Sequence, residues 1–183
     1  MPLGLQKGFD VKRGYIQVYT GPGKGKTTAA LGLALRAVGH GLGVCMVQFM
    51  KNDKEAGEVR AAGLLAPHLS IHPMGPKGFV RGAPRPIDYR MARKALDFSR
   101  NIIQSEDYDV VILDEVNMAV SFGLITVQDL LALMDQKPDA VELVLTGRDA
   151  HPEVIEKADL VTEMEAIKHY FDRGIAARKG IEV

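Results

Sequence analysis

The sequence predicts an α/β domain in which helices cover both faces of a mainly parallel central sheet. Two observations carry this prediction: short, nearly continuous apolar runs recur along the chain, and helical patterns separate them. A third is size, because 183 residues with 46% hydrophobic content suit one domain with a substantial core. No shift in composition marks a second domain, so residues 1–183 are predicted to form one unit.

Six apolar runs are the strand candidates, and four of them are stronger than the other two. The stronger runs are rich in β-branched residues and bounded by Gly, Asp or Lys. The stronger runs are 15–20, 44–49, 109–114 and 141–146, and the weaker runs are 69–73 and 160–164. The second run contains Cys45, the only cysteine, so we expect a buried thiol and no disulfide within the chain.

The first helix follows a glycine-rich stretch directly and ends at Gly39 or Gly41. Its apolar residues at helical spacing are Leu31, Ala34, Leu35 and Val38. A second helix is predicted from about Asp88 to Gln104. A third begins after Thr126 as its N-cap, with Asp129 at the acidic position of a capping box, and a short fourth begins near Pro152.

Two segments stand outside this alternation. Residues 67–86 hold five of the nine prolines, and long loops of this kind in compact domains are usually functional or disordered, so we predict a functional loop. Residues 1–13 contain no continuous apolar stretch, and we expect a flexible segment that is neither a signal peptide nor a membrane span. A cytoplasmic protein without a membrane partner is therefore expected. A formal net charge of zero argues against nucleic-acid binding.

The stretch TGPGKGKTT, residues 20–28, follows the first strand and begins the first helix. It is close to the phosphate-binding pattern G-x-x-x-x-G-K-[ST], but it is one residue short when it is counted from Gly21. Backbone N–H groups and the positive end of the helix dipole bind anionic phosphates at such a turn. Lys26 would add a positive charge, and the hydroxyl of Thr27 would hold a divalent metal ion.

A second motif, VVILDE, places Asp114 and Glu115 at the end of the third strong strand. A carboxylate delivered there would reach the same metal ion. The two motifs together indicate a site for a nucleoside triphosphate and a metal ion. They do not specify which bond breaks, because an acidic residue can also orient water against a terminal phosphate. A P-loop kinase or ATPase therefore stays open.

Five stretches together resemble the P-loop type of ATP:corrinoid adenosyltransferase, which acts in cobalamin synthesis and salvage. The stretches are TGPGKGKTTAALGLALRAVGHG, VQFMK, VVILDE, LTGRDAHPEVIEKADLVTEM and KHYFDRGIAARKGIE. The resemblance spans roughly residues 14–182 and matches poorly at 67–90. It implies a RecA-like P-loop three-layer sandwich, usually assembled as a homodimer.

The resemblance also implies a reaction. The 5′-deoxyadenosyl group of ATP moves to the reduced cobalt of cobalamin or a precursor corrinoid, and triphosphate leaves as a unit. Implied partners are Mg²⁺, or Mn²⁺ in its place, and a flavoprotein reductase. A kinase or ATPase would differ by releasing ADP or orthophosphate. A nucleotide-gated module that binds a corrinoid without chemistry is the third alternative.

Within that reaction Co(I) is a strong nucleophile and needs no general base, so the catalytic residues stabilise the departing triphosphate. Lys26, Glu115 and Arg148 are the predicted catalytic residues, Arg148 because it follows the strand 141–146 at the edge where open α/β sheets bind ligands. Thr27 and one of Asp114 or Glu115 would anchor the metal ion. The predicted nucleotide-binding residues are Gly21, Pro22, Gly23, Lys24, Gly25, Lys26, Thr27 and Thr28.

The corrinoid side of the site is predicted within KGFVRGAP, in the Pro/Gly-rich loop. A corrin ring is a broad apolar plate, so its site needs a large apolar side chain, and Phe79 supplies one. In relatives this segment commonly carries aromatic residues that occupy the lower face of the corrin. Arg81 stands where a second aromatic residue is expected.

Overall fold

Six parallel strands form the centre of the structure, a computed structural model that describes residues 13–76 and 83–182. The strands are β1 (Ile16–Thr20), β2 (Val44–Gln48), β3 (Leu69–Pro73), β4 (Val110–Asp114), β5 (Glu142–Thr146) and β6 (Leu160–Glu163). Their order across the sheet is β3-β2-β4-β5-β1-β6, and each neighbouring pair is parallel. The predicted α/β class with a parallel sheet is confirmed, and each of the six strand predictions matches a strand within one residue at either end.

Helices lie on both faces of this sheet. They are α1 (Lys26–Gly39), α2 (Gly57–Leu64), α3 (Pro86–Ser105), α4 (Val116–Ser121), α5 (Val127–Asp135) and α6 (Pro152–Lys157), and a one-turn 3₁₀ helix follows at Tyr170–Arg173. One core contains buried residues of α3, α4, α5 and α6, and a second core contains buried residues of α1 and α2. The predicted three-layer sandwich is therefore confirmed.

The two cores differ in the size of their side chains. On the α1 face, the apolar residues that the helix buries are Ala30, Ala34, Ala37 and Val38. Small side chains allow α1 to lie close to the sheet, because little volume separates its backbone from the strands. Leu35, which shares the apolar spacing of Ala34 and Val38, is instead 60% exposed.

The helix ends follow the chemistry of their sequences. Asp129 donates its N–H to the Thr126 hydroxyl and accepts from the Thr126 N–H, both at 3.0 Å, so the predicted capping box is confirmed. Helix α3 begins at Pro86, two residues before the predicted start, because proline suits a first helical position. Helices α2 and α4 were not predicted.

The Pro/Gly-rich segment 67–86 contains β3 in its first part, and its centre, residues 77–82, lies outside the described residues together with residues 1–12. Cys45 is buried on β2, as expected, and burial raises the pKa of its thiol to about 11. No helix within residues 13–76 and 83–182 has the length and apolar character needed to span a membrane.

Candidate active site

A cavity of about 640 Å³ opens at the edge of the sheet where the parallel strands end. Open α/β sheets bind ligands at this edge, because loops and helix N-termini converge there. The cavity is lined by residues 23–28, by Lys51 and part of α2, and by Glu115 and Arg148. The two sequence motifs therefore meet in a single cavity, although 87 residues separate Thr27 from Asp114.

The glycine-rich loop keeps its shape through backbone that other residues adopt rarely. Gly21 has a φ of 92° and Gly25 a φ of 122°, both in the region that favours glycine. Thr20, at the position where the common pattern has its first glycine, is the last residue of β1, and its hydroxyl accepts a hydrogen bond from the Ala150 N–H at 3.2 Å. The loop therefore begins at Gly21 because Thr20 belongs to the strand.

Lys26 lies inside the loop rather than on its surface. Its side-chain ammonium donates to the carbonyl oxygens of Gly21 and Gly23, each at 2.7 Å, and the residue is 8% exposed. Burial lowers the pKa of Lys26, and the nearby carboxylate of Glu115 opposes that effect. The loop thus encloses a positive charge at the start of α1, where the helix dipole is also positive.

Asp114 is fully buried beneath the loop and joins three elements. Its Oδ1 accepts from the hydroxyls of Thr27 and Thr146, each at 2.8 Å, and its Oδ2 accepts from Lys51 Nζ at 2.9 Å. Burial would lower the pKa of Lys51, but the Asp114 carboxylate raises it above its usual value. The carboxylate is therefore neutralised by Lys51, three residues after β2, and oriented by hydroxyls from α1 and β5.

The oxygen atoms of Thr27 and Asp114 suit a hard divalent cation. Mg²⁺ commonly binds through one or two carboxylates together with phosphate oxygens, rather than in a cage made only of protein. In the described ranges no cluster of three or more His, Cys, Asp or Glu side chains could hold a metal ion on its own. The residues present therefore fit an ion that is shared with a bound nucleotide.

Glu115 turns the chain directly from β4 into α4. It has a left-handed backbone conformation with a φ of 61°, and its N–H donates to the Thr146 hydroxyl at 3.0 Å. Burial raises the pKa of Glu115, and the negative charge of Asp114 raises it further. Glu115 is one of the residues that line the cavity, whereas Asp114 is fully buried and is not.

Arg148 reaches the cavity from the end of β5. Gly147 precedes it with a φ of 130°, and a Cβ atom at that position would lie 2.9 Å from the Met118 backbone nitrogen. A side chain there would therefore force β5 and α4 apart. Arg148 itself is exposed at the cavity, and its charge acts on Glu115 and Lys26.

The structure brings most of the predicted site residues together. Gly23, Lys24, Gly25, Lys26, Thr27, Thr28, Glu115 and Arg148 line the cavity, and Asp114 contacts Thr27 from below. Gly21 contacts the site through its carbonyl oxygen, which accepts a hydrogen bond from Lys26. Pro22 is exposed and does not line the cavity. Phe79 lies outside the described residues.

Sequence reasoning missed Lys51 and Thr146, which both donate hydrogen bonds to Asp114. Thr146 ends β5, and Lys51 comes three residues after β2, which pairs with β4 so that Gln48 lies beside Asp114. The signal for Lys51 was present in VQFMK, because the ends of adjacent parallel strands lie close together. The carbonyl of Lys51 also accepts from the Gly75 N–H at 2.7 Å, which ties it to the segment after β3.

Comparisons with known proteins agree with this geometry. Residues 12–183 match the family model for the ATP:corrinoid adenosyltransferase BtuR/CobO/CobP. A corrinoid adenosyltransferase of Pseudomonas aeruginosa is 38% identical over 93% of this chain and 84% of its own length. Corrinoid adenosyltransferases of Sinorhizobium sp. (40%) and Escherichia coli K12 (36%) also match over 93% of this chain, and over 81% and 86% of their own lengths.

A solved structure gives independent evidence on the fold. The flagellar accessory protein FlaH from Methanocaldococcus jannaschii superposes with a TM-score of 0.54 over 88% of this chain and 77% of that chain. At 16% identity this similarity concerns the fold alone, and it agrees with a RecA-like P-loop arrangement. Because the family model matches residues 12–183, the chain belongs to the ATP:corrinoid adenosyltransferase family.

Proposed function

We propose that the protein transfers the 5′-deoxyadenosyl group of ATP to the cobalt of a reduced corrinoid and releases intact triphosphate. The observation that carries this proposal is the family match over residues 12–183. A phosphate-binding loop whose Thr27 contacts the buried Asp114 supports it. The short loop that starts at Gly21 then holds a leaving group, and the bond that breaks is the C5′–O bond.

The chemistry needs little from acid–base groups. A lone pair of Co(I) attacks C5′, the Co–C bond forms, and the electron pair of the C5′–O bond leaves with triphosphate as cobalt becomes Co(III). No proton is transferred, so the protein acts by orienting ATP and by stabilising the charge on the leaving group. Lys26, the N–H groups at the start of α1 and the exposed Arg148 are the donors available for this task.

Thr27 and Asp114 would hold a Mg²⁺ ion, or Mn²⁺ in its place, with Glu115 as the second candidate carboxylate. When bound, the ion neutralises charge that develops on the departing triphosphate. Lys51 balances the charge of Asp114 in the buried network. Glu115, at the cavity wall, acts on the ion or on the position of ATP rather than as a base.

The corrinoid is proposed to bind beside the phosphate site, with Phe79 of the segment 67–86 against the ring. This assignment rests on the sequence pattern and stays a prediction. We also propose a homodimer in the cytoplasm and a flavoprotein reductase that supplies Co(I), as the family resemblance implies.

The test is a product analysis under single-turnover conditions. The full chain is mixed with ATP, Mg²⁺ and chemically reduced cobalamin, and the expected products are adenosylated corrinoid and triphosphate in equal amounts. Stoichiometric ADP or orthophosphate would replace the proposal with a kinase or ATPase. Binding of both ligands without any product would indicate a binding module.

A further inference from the structure

The last part of the chain, residues 164–182, which we call the C-terminal arm, packs against the phosphate-binding loop. The Gly23 N–H donates to the Met164 carbonyl at 2.6 Å. A Cβ atom on Gly23 would lie 2.6 Å from that same oxygen and 2.7 Å from the carbonyl oxygen of Glu165. The arm therefore begins in direct contact with the loop, at a distance that only glycine allows.

The rest of the arm folds on itself. The Arg178 guanidinium lies 2.9 Å from the Glu182 carboxylate, which also accepts the Arg178 N–H at 2.8 Å and the Tyr170 hydroxyl. The guanidinium also lies over the Tyr170 ring, 5.1 Å from its centre. These contacts close residues 170–182 into a loop, so that residues 180–182 and His169 line the same cavity as Lys26 and Arg148.

His169 presents a defined hydrogen-bond donor in this arrangement. It is the N-cap of the 3₁₀ helix, and its Nδ1 accepts the Phe171 N–H at 3.1 Å. In a neutral imidazole the nitrogen that accepts carries no proton, so Nε2 carries it. Because His169 lines the cavity and Nδ1 is engaged by the backbone, Nε2–H is the ring group available to a ligand.

We propose that His169 Nε2–H donates a hydrogen bond to an anionic oxygen of the bound triphosphate. The inference rests on the proposed phosphate site and extends it, because His169 lies on the C-terminal arm and not on either sequence motif. The other side-chain donors of the cavity are cations, among them Lys24, Lys26 and Arg148, and the hydroxyls of Thr27 and Thr28 at the start of α1. His169 adds a directional donor from the C-terminal arm, a segment separate from the loop that carries Lys24 and Lys26.

The two ring nitrogens can be tested separately by substitution. His169→Asn keeps an oxygen in the place of Nδ1, so it preserves the cap of the 3₁₀ helix, but it has no group at the Nε2 position. His169→Gln extends an amide N–H toward the Nε2 position, and His169→Ala removes both functions. The probes are ATP and inorganic triphosphate with Mg²⁺, titrated calorimetrically into the full chain without corrinoid.

We expect His169→Asn and His169→Ala to weaken binding of both probes about tenfold or more, the loss expected for a hydrogen bond to a charged group. His169→Gln should retain affinity within about threefold, because its amide restores the donor. Native affinity in the Asn variant would overturn the inference and leave His169 as a helix cap only. Weakened binding in the Ala variant alone would have the same meaning.

A parallel titration of Lys26→Ala separates this inference from the site on which it rests. Loss of triphosphate binding in Lys26→Ala with native binding in His169→Asn would keep the phosphate site and reject the role of His169. Native binding in Lys26→Ala would reject the phosphate site, and the inference with it. Thermal unfolding of each variant identifies losses of affinity that come from unfolding of the arm.

Discussion

The phosphate-binding floor and the C-terminal arm line the same cavity, but different interactions hold them in place. We define the floor as residues 21–28 with Asp114 and Thr146. In the floor Lys26 is buried and Asp114 is fully enclosed, and only Lys24 among its charged residues is exposed. In the arm the side chain of Arg178 is 55% exposed, and its partner Glu182 is held by contacts within the arm. Broken contacts should therefore cost far more in the floor, because their partners stay buried.

The largest expected effect is the loss of Lys26 from the floor. Lys26→Ala removes the enclosed cation, and loss of one stabilising group at a leaving group costs about a hundredfold or more in kcat/KM. Single-turnover formation of adenosylated corrinoid measures the loss. Lys94→Ala, which removes an exposed lysine from α3, is the control and should retain native turnover. Equal rates in Lys26→Ala and Lys94→Ala would show that losing a lysine from the floor costs no more turnover than losing one from the surface.

The next expected effect concerns the buried network. Asp114→Asn leaves Lys51 with a neutral partner, and we expect a fall in the free energy of unfolding of about 2 kcal/mol, reduced from the fully buried case because Lys51 is partly exposed. Turnover should also fall, because the proposed metal ion would lose a carboxylate ligand. Chemical denaturation measures stability, and a Mg²⁺ titration of the rate measures the metal site.

A double variant sharpens this experiment. Without Asp114, Lys51 keeps only the longer contact with Glu58 at 4.0 Å. Combining Asp114→Asn with Lys51→Met removes the cation that has lost its closer partner, so we expect stability to recover in part while turnover stays low. If stability does not recover, the loss comes from the hydroxyl partners Thr27 and Thr146 and not from the charge of Lys51.

The floor was also the part of the site that the sequence predicted best. Lys26, Thr27 and Asp114 belong to contiguous motifs whose chemistry follows from their spacing. The strands were predictable because a sheet covered on both faces requires apolar runs such as 109–114. Lys51 and His169 were not assigned roles, since their positions depend on the pairing of β2 with β4 and on the path of the arm, which no local pattern reports.

The failure to predict helices α2 and α4 also has physical reasons. Helix α2 contains Gly57 and Gly63, which weaken intrinsic helix propensity, and it buries only Ala62. Helix α4 has six residues, too few for a periodic pattern, and its N-cap is the left-handed Glu115. The prediction that Leu35 belongs to the buried face of α1 was wrong. The spacing of apolar residues does not say which of two adjacent stripes of a helix faces the sheet, and in α1 the alanine stripe does.

A smaller effect is expected in the arm. Glu182→Gln weakens the contact with Arg178, and we expect a loss of ATP affinity of only a few-fold, because exposed ion pairs contribute little. Raising the salt concentration should weaken nucleotide binding by the native chain. It should also reduce the difference in ATP affinity between the native chain and Glu182→Gln. Calorimetric titration at two salt concentrations is the measurement. A loss as large as that of Lys26→Ala would show that the arm is as essential as the floor.

The smallest expected effect lies away from the cavity, at the capping box of α5. The hydrogen bond from Arg93 holds the pKa of Asp129 at about 2, below its ordinary value near 4. Because the folded pKa is depressed, the stabilisation is present above about pH 4 and is lost as the pH falls through 2. Asp129→Asn should cost about 1 kcal/mol at pH 7 and little near pH 2, measured by denaturant unfolding.

This last variant is also a control for the comparison. Arg93 and Asp129 lie on α3 and α5, on the sheet face opposite α1, so ATP affinity should be native. Reduced affinity in Asp129→Asn would mean that nucleotide binding responds to general destabilisation, and the losses in the floor and arm would have to be corrected for it.

The buried alanine face of α1 sets the position of that helix on the sheet, and this position should affect the rate of catalysis. Ala34 is fully buried and lies eight residues from Lys26, about 12 Å along the helix axis. A larger side chain such as that of Ala34→Leu must lift the helix from the sheet, and the N–H groups that face the triphosphate would move with it. Displacements of about 1 Å at a reacting group can cost a hundredfold in rate. Selection for adenosyl transfer should therefore act on the volume of a residue that touches no ligand.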